Sequence, residues 1–164
     1  MDWYFIAKWL HILSSSVLFG TGIGTAFQMV CAMHTKRVET IASVSASVCM
    51  ADLIFTTPAG LFQPLSGLWL VYLQGYALTE PWLLLTYALY VVAFLAWLHV
   101  VVLQLRIRDL AAGALASGGP LPEQVWRDYR IWFALGWPAF TALITVYWLM
   151  VTERLPADAG RFPF

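Results

Sequence analysis

Hydrophobic positions dominate this chain in long blocks, and polar residues mark where the blocks end. The first block runs over 3–33 and closes at His34, Lys36 and Arg37. The second covers about 41–74, broken by Thr56-Thr57-Pro58 and again by Pro64. The third opens on Pro81-Trp82, crosses to about Arg106 and continues as helix to Ala116, where Ser117-Gly118-Gly119-Pro120 stops it. The fourth starts near Leu121 with the polar turn QVWRDYR, enters the apolar phase at about Ile131, is bent by Pro138 and ends at Glu153-Arg154. A membrane span needs about 20 apolar residues, and each block supplies them. The pattern predicts an all-α integral membrane four-helix bundle with proline-kinked spans over 3–33, 41–74, 81–106 and 131–152, in one domain. The tail LPADAGRFPF reads as irregular.

Within the first block, Ser16, Gly20 and Gly24 recur every fourth position and share one helix face. Small residues so spaced let a second helix backbone approach closely in lipid. His11 projects on the opposite side, in line with Ser15, Leu18, Gly22 and Met29. An ionisable residue at membrane depth is a functional candidate by default.

Composition agrees with lipid as the solvent: 61% of the 164 residues are hydrophobic and 11% charged, against about 25% charged in soluble domains. Nine basic and nine acidic residues cancel, and no basic run occurs, so a nucleic-acid partner is not expected. The first block lacks the charged start and cleavage site of a signal peptide, and is expected to remain in the mature protein. Cys31 and Cys49 are too few for a disulfide framework and form no C-x-x-C motif. Basic residues orient the spans. Lys36, Arg37, Arg106, Arg108, Arg127 and Arg130 fall in the first and third connections, while QGYALTEP has none. The positive-inside rule then puts both termini outside a bacterial inner membrane.

His11 heads the candidate chemistry. At 1.5 Å per residue it lies about 12 Å below Trp3, and Ser66-Gly67, Ala88 and Val146 fall at similar depth. Small residues there leave room for a flat macrocycle beside the imidazole, and a neutral histidine in such a bundle is the usual proximal ligand of haem b. The alternative is a histidine hydrogen-bonded to a helix carbonyl or to Ser15. His99 is a second metal-ligand candidate. Its depth differs from that of His11 by about 8 Å in a core of about 30 Å, so ligation by His11 alone, with Met or water opposite, fits better than a pair. Otherwise His99 is a buried, hydrogen-bonded histidine. Lys8, one turn before His11, either snorkels outward or holds a haem propionate. Asp52 is expected to pair with Arg130 or Arg106, or to relay protons. Gln63 and Gln104 need interhelical partners. Walker, HExxH and GxSxG motifs are absent, which removes the usual nucleotide and hydrolase chemistries.

The blocks KWLHILSSSVLFGTGIGTAF, ADLIFTTPAGLFQPLSGLWLV, LQLRIRDLA and YRIWFALGWPAFTALITVYWLMV resemble, in that order, a group of uncharacterised bacterial integral membrane proteins known only as a domain of unknown function. More distantly the chain is similar to HemJ-type protoporphyrinogen oxidases and CopD-like proteins. The HemJ resemblance implies haem b on His11, which stands in an L-H-I context, and matches Thr56-Thr57-Pro58 and Ser66-Gly67-Leu68-Trp69 to family segments. It departs at the third span. There the family has a histidine and then an essential lysine after its tryptophan, whereas Leu83-Leu84-Leu85-Thr86 follow Trp82, with Thr86 at the lysine position. The expectation is therefore a haem b-associated redox protein, with Lys8, Ser66 and Gly67 beside His11, taking a porphyrinogen or quinol-like reductant from the bilayer. The rival expectation is a non-catalytic accessory or assembly subunit of a respiratory complex, or a homo-oligomer, joined through the Ser16/Gly20/Gly24 face. A CopD-like transporter is the third, and the five scattered Met residues supply no entry site for it.

Overall fold

A computed structural model describes residues 3–153 and 155; the tail expectation, apart from Leu155, lies outside these. Five α-helices make four crossings: α1 (Trp3–Thr35), α2 (Val38–Ala51) and α3 (Thr57–Gln74), α4 (Pro81–Ser117), and α5 (Glu123–Thr152). Among the described residues there is no strand. The chain is an integral membrane protein with four apolar helical spans. Even α5, with 30 residues, is about 45 Å long at 1.5 Å per residue, more than the ~30 Å hydrocarbon core. Large apolar side chains face outward all along it, among them Trp9, Leu53, Leu65, Leu95 and Trp137. Such a surface is stable where lipid is the solvent.

The helix limits follow from local chemistry. Gly75 and Gly118 take left-handed backbone at the ends of α3 and α4 (φ 72° and 63°), which glycine does without a Cβ penalty. Pro81 starts α4, where its missing N–H has no helical partner to lose. The second crossing changes pitch in its middle: Asp52–Thr56 form a π-helical turn, and the Thr57 amide donates to the Asp52 carbonyl five residues back. This widened turn sits directly before Pro58, which has no N–H to continue an ordinary α ladder. The helix of the fourth crossing begins at Glu123, so the polar QVWRDYR turn is helical and carries the fully buried Val125 and Asp128.

Packing is uneven along the bundle. At the end carrying Lys36, Arg37 and Arg106, α1, α2, α4 and α5 close around Met29, Met33, Ile41, Val48, Leu103, Ile107, Val125 and Trp132. Towards the other end the molecule resolves into two pairs, α1 with α3 and α4 with α5. The pairs are bridged by Phe19, which stacks on Phe140 at 5.1 Å and meets Tyr147 at 5.3 Å, and by the Tyr90 hydroxyl, which donates to the Gly60 carbonyl. Pro64 explains that acceptor. It stands four residues after Gly60 and cannot supply the usual amide, so the carbonyl is free for another donor.

Candidate functional site

α1 meets α3 through the face that carries His11. The His11 Nδ1 lies 2.7 Å from Ser66 Oγ. Ser66 Oγ is also 2.8 Å from the Phe62 carbonyl and 3.2 Å from that of Gln63. Carbonyls only accept, so the single hydroxyl hydrogen goes to them and the Ser66 lone pair faces the ring. On that geometry we assign the proton to Nδ1, which donates to Ser66, and a bare lone pair to Nε2. Nε2 makes no hydrogen bond with a described residue.

The surroundings lock the ring in place. Gln63 Nε2 donates to the His11 carbonyl at 2.9 Å and to Ser14 Oγ at 3.0 Å, and the Ser14 hydroxyl donates to the Ala59 carbonyl at 3.3 Å. These bonds give Gln63 the interhelical partners its depth requires. Gly67 has a different role from the one its size suggested. A Cβ built there would lie 3.4 Å from His11 Cε1, so the missing side chain makes room for the imidazole itself and not for a further group. Ser66 and Gly67 are thus brought to His11, while Ala88 is exposed on α4.

The remaining candidates lie apart from this contact. Lys8 is exposed, donates to the Tyr4 hydroxyl at 3.2 Å and sits 5.5 Å from that ring's centre. His99 is exposed on α4 and has no hydrogen-bond partner among the described residues, which corrects the expectation of a buried histidine. No group of three or more His, Cys, Asp or Glu side chains gathers to hold a metal among the described residues. Thr86 is buried and donates to the Trp82 carbonyl at 2.8 Å. Asp52 does not pair with arginine. Arg106 and Arg130 are exposed, whereas Thr56, one turn along the same face, donates to Asp52 Oδ1 at 2.8 Å, and Gln104 reaches the same carboxyl from α4. A nearer neutral donor satisfies the carboxyl without drawing an arginine into the apolar phase.

A substantial cavity is found elsewhere again. A cavity of about 460 Å³ lies between α1 and the π-helical turn on one side and α4 and α5 on the other. Leu18, Gly60 and Tyr90 line it, as do Asp52, Thr56 and Gln104, with Phe94, Trp97, Trp132 and Phe140 from α4 and α5. His11, about two turns along α1 from Leu18, is not among its walls. Trp132 belongs both to this wall and to the tight cluster below, so the cluster is the cavity floor. Sequence reasoning picked out Asp52 and Gln104 singly. It missed Tyr90, Trp97 and Trp132, because aromatic residues are equally at home in membrane belts and bundle cores.

With this geometry established, a family model described as a predicted integral membrane protein (DUF2269) matches residues 5–154. The chain belongs to the DUF2269 family. No curated protein and no solved structure matches it. Membership of an uncharacterised membrane family is therefore established, and these comparisons do not show the expected likeness to HemJ-type and CopD-like proteins.

Proposed function

We propose that this DUF2269 protein carries haem b on His11 and serves as a redox component of a bacterial inner membrane, with both termini outside. The observation that carries the reading is the state of the imidazole. Its Nδ1–H is held by Ser66 and its Nε2 lone pair has no hydrogen-bond partner among the described residues, the arrangement in which a second hydrogen bond fixes tautomer and ring orientation for a metal-binding imidazole. Haem b, when bound, supplies a one-electron couple. Ser66 orients the ring, Gly67 admits it against α3, and Lys8 is the cation on α1 within a turn of His11 for a propionate. Thr86, whose hydroxyl is given to Trp82, offers no charge for a porphyrin carboxylate. That favours a quinol-like reductant over a porphyrinogen.

A second reading has its own support. Ser16, Gly20 and Gly24 are exposed, and a Cβ added at either glycine would meet nothing within 4 Å. The small-residue stripe is not consumed inside the chain and remains free for a helix of a second copy or of a respiratory-complex subunit.

One experiment separates the two. The protein is purified in mild detergent and its visible spectrum recorded oxidised and dithionite-reduced. A Soret band that disappears in His11→Ala, with helical circular dichroism unchanged, supports the haem reading. A colourless, folded protein that co-purifies with a partner only while Gly20 and Gly24 are intact supports the accessory reading and removes the first.

A further inference from the structure

Asp52 is 6% exposed, sits in the π-helical turn and lines the cavity. No cation is placed to neutralise it. Among the described residues, α1, α3 and α5 bring no ionisable side chain to the cavity, and α4 brings only the Tyr90 phenol. On the other side the Cys49 thiol stands three residues earlier on α2, within electrostatic reach of Asp52 and of Arg108 and Asp109 on α4. Arg108 is itself taken by Asp109 at 2.8 Å. A carboxyl buried without a paired cation can lower the cost of its burial by holding a proton.

The hydrogen-bond partners of Asp52 suit both protonation states. The Thr56 hydroxyl donates to Oδ1 at 2.8 Å, an oxygen that accepts in the carboxylate and in the acid alike. Gln104, 3% exposed, reaches the same carboxyl from α4. A carboxamide has donors at one end and an acceptor at the other. With its nitrogen turned to Asp52 it stabilises the carboxylate; after a half-turn its oxygen accepts the O–H of the acid. The backbone does not compete, because the Asp52 carbonyl already accepts from the Thr57 amide and, at 2.9 Å, from the Thr57 hydroxyl. Access is one-sided. Ile41, Val48, Leu103 and Ile107, each at most 2% exposed, close the bundle towards the end carrying Lys36 and Arg106, whereas the cavity opens sideways between the exposed Phe27 and Trp137.

We propose that Asp52 is a proton-exchange site facing the cavity, with the Gln104 carboxamide turning as the proton comes and goes. On release the carboxyl O–H bond breaks, its electron pair stays on the carboxylate and the proton passes to water entering the cavity. Uptake is the reverse. A carboxyl kept only for structure would be served by fixed donors; this pair follows a proton on and off.

The test treats the full chain in phospholipid nanodiscs with dicyclohexylcarbodiimide, an apolar reagent that adds to a protonated carboxyl and leaves an N-acylurea, read residue by residue by peptide mass spectrometry. Asp52 should be labelled, and less so as pH rises, while Asp128, 2% exposed and outside the cavity walls, stays unlabelled. Gln104→Leu should move the labelling midpoint up by about one pH unit, because the carboxylate loses a stronger hydrogen bond than the acid does. Gly136 and Gly22 line the cavity, and a Cβ at either meets nothing within 4 Å. Gly136→Phe, or Gly22→Phe should the first not fold, should cut labelling at least about fivefold with circular dichroism unchanged. No adduct at any pH, an adduct independent of pH, or the same midpoint in Gln104→Leu overturns the proposal. So does protection by sodium at constant pH, which would mark a metal-ion site, or undiminished labelling in the filled cavity. The measurement needs no haem, so it succeeds or fails independently of the His11 reading.

Discussion

The contact between Tyr90 and Gly60 allows the reasoning about proline to be tested in numbers. Pro64 withholds the amide that would bond the Gly60 carbonyl, and the Tyr90 hydroxyl takes its place. Tyr90→Phe should therefore strand a carbonyl with no second donor. Stranding a buried acceptor costs about 1–3 kcal/mol, and side-chain bonds between helices in membranes average about 0.6 with a maximum near 1.7. We expect about 1.5 kcal/mol. In a Pro64→Ala background the residue-64 amide reaches the same carbonyl, and Tyr90→Phe should then cost about 0.5 kcal/mol or less. The coupling of about 1 kcal/mol exceeds the ~0.3–0.5 kcal/mol scatter of independent sites. It does not depend on whether Pro64→Ala itself stabilises by helix propensity or destabilises by straightening α3. Reversible unfolding in mixed micelles of rising SDS fraction, followed by circular dichroism, gives the four free energies. Equal costs of Tyr90→Phe in both backgrounds would refute the account.

Other outcomes follow from single contacts. Gly67→Leu places a side chain where His11 Cε1 lies 3.4 Å from the Cβ position; it should break the Ser66 bond and, on the haem reading, bleach the Soret band as His11→Ala does, whereas an unchanged spectrum would detach the pigment from this contact. A Cβ at Gly20 or Gly24 meets nothing within 4 Å among the described residues, so Gly20→Leu and Gly24→Leu should change the unfolding free energy by no more than about 0.5 kcal/mol; a larger loss would show that the stripe already packs inside the protein. Between the spans, the Tyr76 hydroxyl donates to Glu153 Oε2 at 2.5 Å, and that bond holds the phenol above its ordinary value. A raised folded value means that the contact contributes below the unfolded phenol value of about 10 and is lost as pH climbs through the higher folded one. Ultraviolet titration should show one tyrosine ionising at lower pH in Glu153→Gln, with little change in stability because the pair is exposed; superimposable titrations would contradict the assignment.

Four crossings were legible in the sequence because lipid imposes a strong constraint: a span of about 20 residues must be apolar regardless of its neighbours. The His11–Ser66–Gly67 contact was also within reach, since counting residues inward from each interface fixes relative depth in straight helices. What depth counting does not contain is azimuth. It placed a small residue beside the imidazole, yet whether glycine leaves space for a ligand or is filled by the ring depends on the approach of α1 to α3, which rotates with every degree of kink at the π-helical turn and Pro64. His99 went wrong for the same reason: its depth was readable and its outward face was not. Asp52 was assigned to arginine because the sequence shows charges more plainly than it shows that Thr56 is one turn away on the same face.

The cavity follows from that missing rotation. The π-helical turn and Pro64 shape the second crossing beside it, and Pro64 frees the Gly60 carbonyl that Tyr90 then takes. Pro64, read from the sequence only as a kink, therefore also frees the carbonyl through which Tyr90 ties the two helix pairs together beside the cavity. The sequence signal that remains is indirect: Asp52 four residues before a Thr, with two prolines following, marks a crossing whose backbone cannot satisfy itself and must borrow donors from its neighbours.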